Sequence, residues 1–239
     1  ASGDLGITAG GSLPGDDGVS VSGVAGDQQA PLYGQACLGS GMGNNSYGTG
    51  SFVLGNTGDQ APAVPSGLLA TVAWGIGARR FFALEAAIFV TGAAIQWLRD
   101  GLGVIADAHE SATLAASVEG NDGVYFVPAL TGLGSPHWDP YARGVIVGLT
   151  RGTGRAHLAR AALEAIAYQT VDAVRAVEAA TGDPISELKA DGGATANTWL
   201  MQFQADVLGL SLIHICRCRR STLCRSRGSP YHYKQHPIH

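Results

Sequence analysis

Charge and cysteine are both scarce in this chain. Only 14% of its 239 residues are charged, and of its four cysteines a single one, Cys37, precedes residue 210. A body with one thiol has no disulfide framework, which suits a reducing, cytoplasmic setting. Aromatic residues amount to 7%, and no stretch approaches the roughly 20 apolar residues of a membrane-crossing helix. The opening Ala1-Ser2-Gly3-Asp4 has neither an initiator Met nor the basic start of a signal peptide, and reads as the interior of a longer chain. No cluster before residue 210 has metal-ligand spacing, so a resident metal is not expected.

What is present in their place is apolar surface and glycine. At 46% hydrophobic the chain has enough core to exclude intrinsic disorder as its class. Its 35 glycines are about twice the usual share. They separate varied apolar segments, so they mark tight turns and not low complexity.

The last thirty residues break every trend. From Leu210 onward there are six basic side chains (Arg217, Arg219, Arg220, Arg225, Arg227, Lys234), three cysteines and no acid, leaving nine basic against nineteen acidic residues before them. A basic nucleic-acid arm is one reading. A metal knuckle is another, although Cys216-x-Cys218-x5-Cys224 is not a usual zinc spacing. The third, which we adopt, is that Leu210-Ser211-Leu212-Ile213-His214-Ile215 and the segment from Cys224 to His232 resemble translated sequencing-library adapter. Residues 210–239 are accordingly set aside, and no nucleic-acid partner is expected.

Along the body, Val19 to Val24 reads as a buried strand. Asp27 then caps a helix through Leu32 to about Leu38. Ser51–Leu54, Leu68–Trp74 and Arg80–Leu84 read as an antiparallel meander. Helices are predicted over Ala86–Leu102, Ala106–Ser117, His157–Thr181 and Thr195–Leu208, with strands at Val124–Val127 and Glu187–Ala190. In the longest helix Leu163, Ile166, Thr170, Val174 and Val177 form a stripe, Arg160, Glu164, Asp172 and Arg175 lie largely away from it, and Gly182 with Pro184 stops it. Alternating strand, glycine turn and helix give an α/β class. The domain boundary falls near residues 36–44.

Three segments carry chemistry. Gly26-Asp27-Gln28-Gln29 sets a carboxylate and two amides at a strand mouth, equipment for taking a proton from one hydroxyl and holding another; alone, Asp27 reads more readily as a helix cap, and the rest of the pattern reverses that order. Gly48-Thr49-Gly50 is a turn whose backbone and hydroxyl suit phosphate oxygens, although most such turns are only turns. Asp191-Gly192-Gly193-Ala194, followed by Asn197, lets a ligand lie close to backbone before a helix, or serves packing alone. Phe52 reads as strand core, Gly92 as a packing glycine, and Gln96 as a polar residue on an apolar helix.

Together with Asn45-Ser46-Tyr47 ahead of the Gly48 turn, and Thr131-Gly132-Leu133-Gly134-Ser135-Pro136-His137-Trp138-Asp139-Pro140-Tyr141-Ala142-Arg143-Gly144, these segments resemble the FGGY carbohydrate kinases. Gly144-Val145-Ile146-Val147-Gly148-Leu149, with His157-Leu158 and Ala161-Ala162-Leu163-Glu164, fits the family's second signature, a structural strand and long helix. The resemblance implies a ribonuclease-H-like, actin-like kinase fold with a mixed sheet and flanking helices. Residues 1–36 would end the first domain, and residues 44–209 would form most of the second. It implies ATP with Mg²⁺ carried on the nucleotide, and transfer of phosphate to glycerol to give sn-glycerol 3-phosphate. Asp27 would be the base, and would bind the polyol with Gln28 and Phe52; Thr49, Gly92, Gln96, Gly193 and Asn197 would contact the nucleotide. A kinase for another polyol or a ketose such as xylulose, and a non-catalytic nucleotide-binding fragment, are the alternatives. The parent enzyme is expected to be a homo-oligomer, and this piece of it inactive alone.

Overall fold

The computed structural model describes residues 6–7, 18–21, 23–210 and 212–215. Its elements are α1 (Gln29–Gly34), β1 (Met42–Tyr47), β2 (Ser51–Gly58), β3 (Leu69–Ile76), β4 (Arg79–Ile88), α2 (Gly92–Asp100), α3 (Glu110–Ala116), β5 (Tyr125–Val127), β6 (Val145–Val147), α4 (Arg155–Thr181), β7 (Glu187–Gly192), a 3-10 turn (Gly193–Ala196), α5 (Thr198–Leu208) and β8 (Leu212–Ile215).

The main sheet runs β3-β4-β2-β1-β7-β8. Four strands, β3 through β1, pair antiparallel, whereas β1 with β7 and β7 with β8 pair parallel. A meander would put β3 between β2 and β4; instead β4 returns to pair with both. The reason is its composition. Leu84, Ala86 and Ile88 are buried on the face that packs against Val174 and Val177 of α4, while Ala83 is buried on the opposite face with Leu54 and Leu32. A strand apolar on both faces belongs inside a sheet. β3, with Leu69, Val72 and Ile76 exposed, takes the edge.

The apolar run from Ala86 reads in the sequence as the start of a helix, but its first three residues finish β4 in register with Ser51 to Val53. An Ala-rich run of that length has no period of its own, and pairing decides it. β1 is the reverse case. Its Met-Gly-Asn-Asn-Ser-Tyr sequence has poor strand propensity, yet partners on both sides hold it extended.

Helix α4 is the spine of the fold. Its stripe of Leu163, Ile166, Thr170, Val174 and Val177 is buried as read, and Gly182 ends it in the left-handed conformation at φ 75°. Glu164, however, is only 4% exposed. Arg160 Nε donates to it at 2.8 Å and Asn121 Nδ2 at 2.8 Å. The loop after α3 packs over that side of the helix, with Arg160 Nη1 on Val118 O at 2.6 Å, so a face that reads as solvated is an internal ion pair.

The expected strand at Val19–Val24 does not form. Among the described residues of this run no continuous strand is formed: Ser20 bridges Ile7, and Val19 and Val24 are exposed. Helix α1 begins only at Gln29, with Gln28 at its cap position and no side-chain cap. Asp27 is therefore not a helix cap. The basic, cysteine-bearing segment after Ile215 lies outside the described residues.

Candidate active site

The parallel register of β1 on β7 sets Ser46 opposite Asp191 and Tyr47 opposite Gly192. Two turns therefore leave the sheet side by side. The first, Gly48-Thr49-Gly50, is clamped by the start of α2: Thr91 N and Ala93 N each donate to Thr49 O at 3.0 Å, and Gly92 N to Gly48 O at 3.2 Å. A Cβ at Gly92 would lie 2.5 Å from Gly48 O, so glycine is required there for close approach. The second turn begins at Gly192, whose φ is +95° and where a Cβ would strike the backbone of Tyr47. Gly193 differs. A Cβ there would meet nothing within 4 Å, so no protein packing explains the missing side chain.

Between the turns opens a cavity of about 400 Å³. Thr49, Gly92, Gln96, Gly193 and Asn197 all line it, so the structure brings these five together. Ile95, Leu163, Ile166 and Leu200 supply apolar wall. Asn197 caps α5 through its Oδ1, which accepts from Leu200 N at 2.9 Å, and its Nδ2 donates to Ser111 Oγ at 3.4 Å. The Thr49 hydroxyl and the Gln96 amide have no hydrogen bond to protein among the described residues. An apolar slot with a few convergent polar groups is the form of a small-molecule site. The N-termini of α2 and α5 open onto it and favour an anionic ligand.

Arg99, His109 and Ser111 also line this cavity, and sequence reading missed them. Arg99 had a legible signal, since it lies three residues after Gln96 on the same helix face. His109 and Ser111 had none, because they arrive through the turn into α3. Tyr47, also at the wall, is fully buried with its hydroxyl on Gln204 Oε1 at 3.2 Å. Burial pushes that phenol up to about 12, against the opposing hydrogen bonds of Thr170 and Asn45, so it stays neutral.

Asp27, Gln28 and Phe52 lie apart from the cavity. Asp27 is exposed and accepts from Gln28 N at 3.1 Å. Phe52 is half-buried beside the cluster of Leu32, Cys37, Leu54, Ala73 and Ala83. Phe52 lies on β2, whereas Asp27 precedes α1. What links the two is Glu85, which sequence reading passed over. It sits on β4 opposite Leu54 and two residues from Ala87, the partner of Phe52, and thus on the same sheet face. Burial raises its carboxyl above the usual carboxylate range, and the charge of Asp27 raises it further.

Residues 43–222 match the C-terminal domain of the FGGY family of carbohydrate kinases. The chain belongs to that family. It is 57% identical over 205 residues to the glycerol kinase of Citrifermentans bemidjiense, covering 85% of this chain and 41% of that protein. To the glycerol kinase of Symbiobacterium thermophilum it is 59% identical over 192 residues, covering 80% and 39%. Among solved structures, Plasmodium falciparum glycerol kinase with ADP superposes with a TM-score of 0.82 at 33% identity, over 89% of this chain and 42% of that one. The xylulose kinase from Rhodospirillum rubrum gives 0.72 at 27% identity, over 84% and 40%. The FGGY kinase fold, ribonuclease-H-like with a mixed sheet and flanking helices, is therefore the fold of this chain. The chain spans about two fifths of the length of the curated relatives it matches.

Proposed function

We propose that the complete enzyme containing this chain transfers the γ-phosphate of ATP to a terminal hydroxyl of glycerol, forming sn-glycerol 3-phosphate. The observation that carries the reading is the cavity in which Thr49, Gly92, Gln96, Gly193 and Asn197 converge, open at Gly193 where a side chain would intrude. Its size, its free hydroxyl and its two helix N-termini fit an adenine nucleotide. Asp27, released from any capping role, is the base: its carboxylate takes the proton of the attacking hydroxyl as the new O–P bond forms. Gln28 and Phe52 hold the polyol, one by its amide and the other against the carbon chain. Glycerol is favoured over xylulose by identities of 56–59% to curated glycerol kinases and, among solved structures, by 33% to a glycerol kinase against 27% to a xylulose kinase.

ATP supplies the transferred group, and its Mg²⁺ rides on the phosphates. Residues 1–36 end the preceding domain and residues 44–209 make up most of the nucleotide-bearing one; residues 210–239 are read as adapter-derived from their sequence, while the family match runs on to residue 222 and Leu212–Ile215 pair with β7. The complete enzyme is cytoplasmic and homo-oligomeric, and this chain alone releases no ADP on addition of glycerol.

A substrate panel on the complete enzyme tests the reading. Glycerol should be turned over in preference to xylulose and to longer polyols. Asp27→Asn should lower kcat by about 10²–10⁴ with nucleotide affinity kept. Turnover on xylulose alone would move the enzyme to a ketose class, and an Asp27→Asn variant as active as the parent would remove Asp27 as the base.

A further inference from the structure

Helix α1 spans the sheet face opposite α4, and both of its ends are tied down. At its start Gln29 Nε2 donates to Thr71 Oγ1 on β3 at 2.9 Å. In its middle Leu32 is fully buried against Leu54, Ala73 and Ala83. At its end Gln35 is held twice by β7: its side-chain amide donates to Asp191 Oδ2, and its carbonyl accepts from Lys189 Nζ at 2.6 Å. Asp191 and Lys189 stand on one face of β7 because they are two residues apart. Just beyond, Asn56 Nδ2 donates to Cys37 O at 2.8 Å. From β3 to β7 is four strand spacings, about 19 Å, and α1 with its two glutamine side chains covers that span.

The two ends have different neighbours. Asp27 lies two residues before the first turn of α1. Asp191 lies immediately before Gly192 and Gly193, the turn that lines the cavity. One short helix thus joins the acceptor end of the site to the nucleotide turn.

Stability does not account for glutamine at the joint. Gln35 is 7% exposed, and its Oε1 has no hydrogen-bond partner among the described residues. A buried amide satisfied on one side only is unfavourable, and an apolar side chain of the same length would fill the place without that cost. What an apolar residue would lose is the hold on Asp191.

We infer that Gln35 is a positioning residue, which through Asp191 couples the placement of Asp27 to the nucleotide turn. The inference rests on the functional reading above. Its readout is the factor by which glycerol tightens ADP binding to the complete enzyme, measured by titration calorimetry with and without glycerol. Coupled sites typically show factors of about 5–150.

Gln35→Ala should bring this factor to within about twofold of unity, with ADP affinity in the absence of glycerol changed less than about threefold. Asp191→Asn keeps an oxygen for Gln35 to donate to and should retain most of the factor. Asp191→Ala should lose it, and the double variant Gln35→Ala/Asp191→Ala should be no worse than either single one. If Gln35→Ala does not fold, the Asp191→Asn and Asp191→Ala pair decides. A factor unchanged in Gln35→Ala or in Asp191→Ala overturns the inference, as does a parent enzyme that binds both ligands with a factor of one. A parent that binds ADP but not glycerol overturns the glycerol assignment instead, and the factor is then measured with the polyol or ketose that it phosphorylates.

Discussion

Around the cavity between the β1 and β7 turns, backbone holds backbone: the N–H groups of Thr91, Gly92 and Ala93 close on the carbonyls of Gly48 and Thr49. Among the described residues, the segment that carries Asp27 is held by Ala30 N on Gly26 O and by two side chains, Gln29 on Thr71 and Gln35 on Asp191. The first region therefore has its geometry within the C-terminal domain. The second takes its position from a six-residue helix resting on the sheet. On the proposed function, phosphate charge that must be held in place belongs with the first region, and an acceptor that has to enter and leave belongs with the second.

The sharpest way to break this contrast is at the two adjacent glycines of the β7 turn. Gly192→Ala forces a side chain into a φ of +95° against the Tyr47 backbone. The conformation alone costs about 1–3 kcal/mol, and the clash adds to it. Since 1 kcal/mol moves a domain of this size by about 2–4 °C, thermal unfolding should drop by several degrees. An unchanged melting temperature would mean that the turn is not the fixed element described.

Gly193→Ala should do the opposite. A methyl group there meets no protein atom within 4 Å, so stability should stay within about 0.5 kcal/mol of the parent. The methyl would stand in the cavity, however, and weaken ADP by about tenfold, or 1.4 kcal/mol. Lost stability with affinity intact would assign Gly193 to packing and detach it from the ligand.

The contrast also explains what could be read from sequence. That Thr49, Gly92, Gln96, Gly193 and Asn197 share one cavity is legible because their glycines punctuate strand ends, and strand–turn–helix order places such turns at one edge of a sheet. The long helix α4 was legible from its stripe and its Gly182 stop. Strand β1 was not, because two asparagines and a glycine carry no strand signal until β2 and β7 flank them. Glu164 read as solvated, since a helical period does not show that the loop after α3 will cover it. Glu85 was invisible for the same kind of reason: a lone acid in an apolar strand acquires meaning only when the sheet face it shares with Phe52, and the carboxylate of Asp27, are known.

Glu85 gives the smallest effect and the finest test of the proposed acceptor side. Its carboxyl is raised first by burial and then by the charge of Asp27, so the folded protein holds the proton more tightly than the unfolded chain does. Where the native state binds more protons, stability falls as pH rises. The contribution of Glu85 is thus complete below the ordinary carboxylate range and is lost as pH rises through the raised value. Glu85→Gln, neutral at every pH, should raise the melting temperature slightly at neutral pH, by less than the 2–4 °C that about 1 kcal/mol produces, and should show no gain in mild acid. Asp27→Asn removes the second cause of the shift, so the gain from Glu85→Gln should be smaller in that background. A gain of equal size with and without the Asp27 charge would separate the two carboxylates, and the acceptor end would then have to be rebuilt around Asp27 alone.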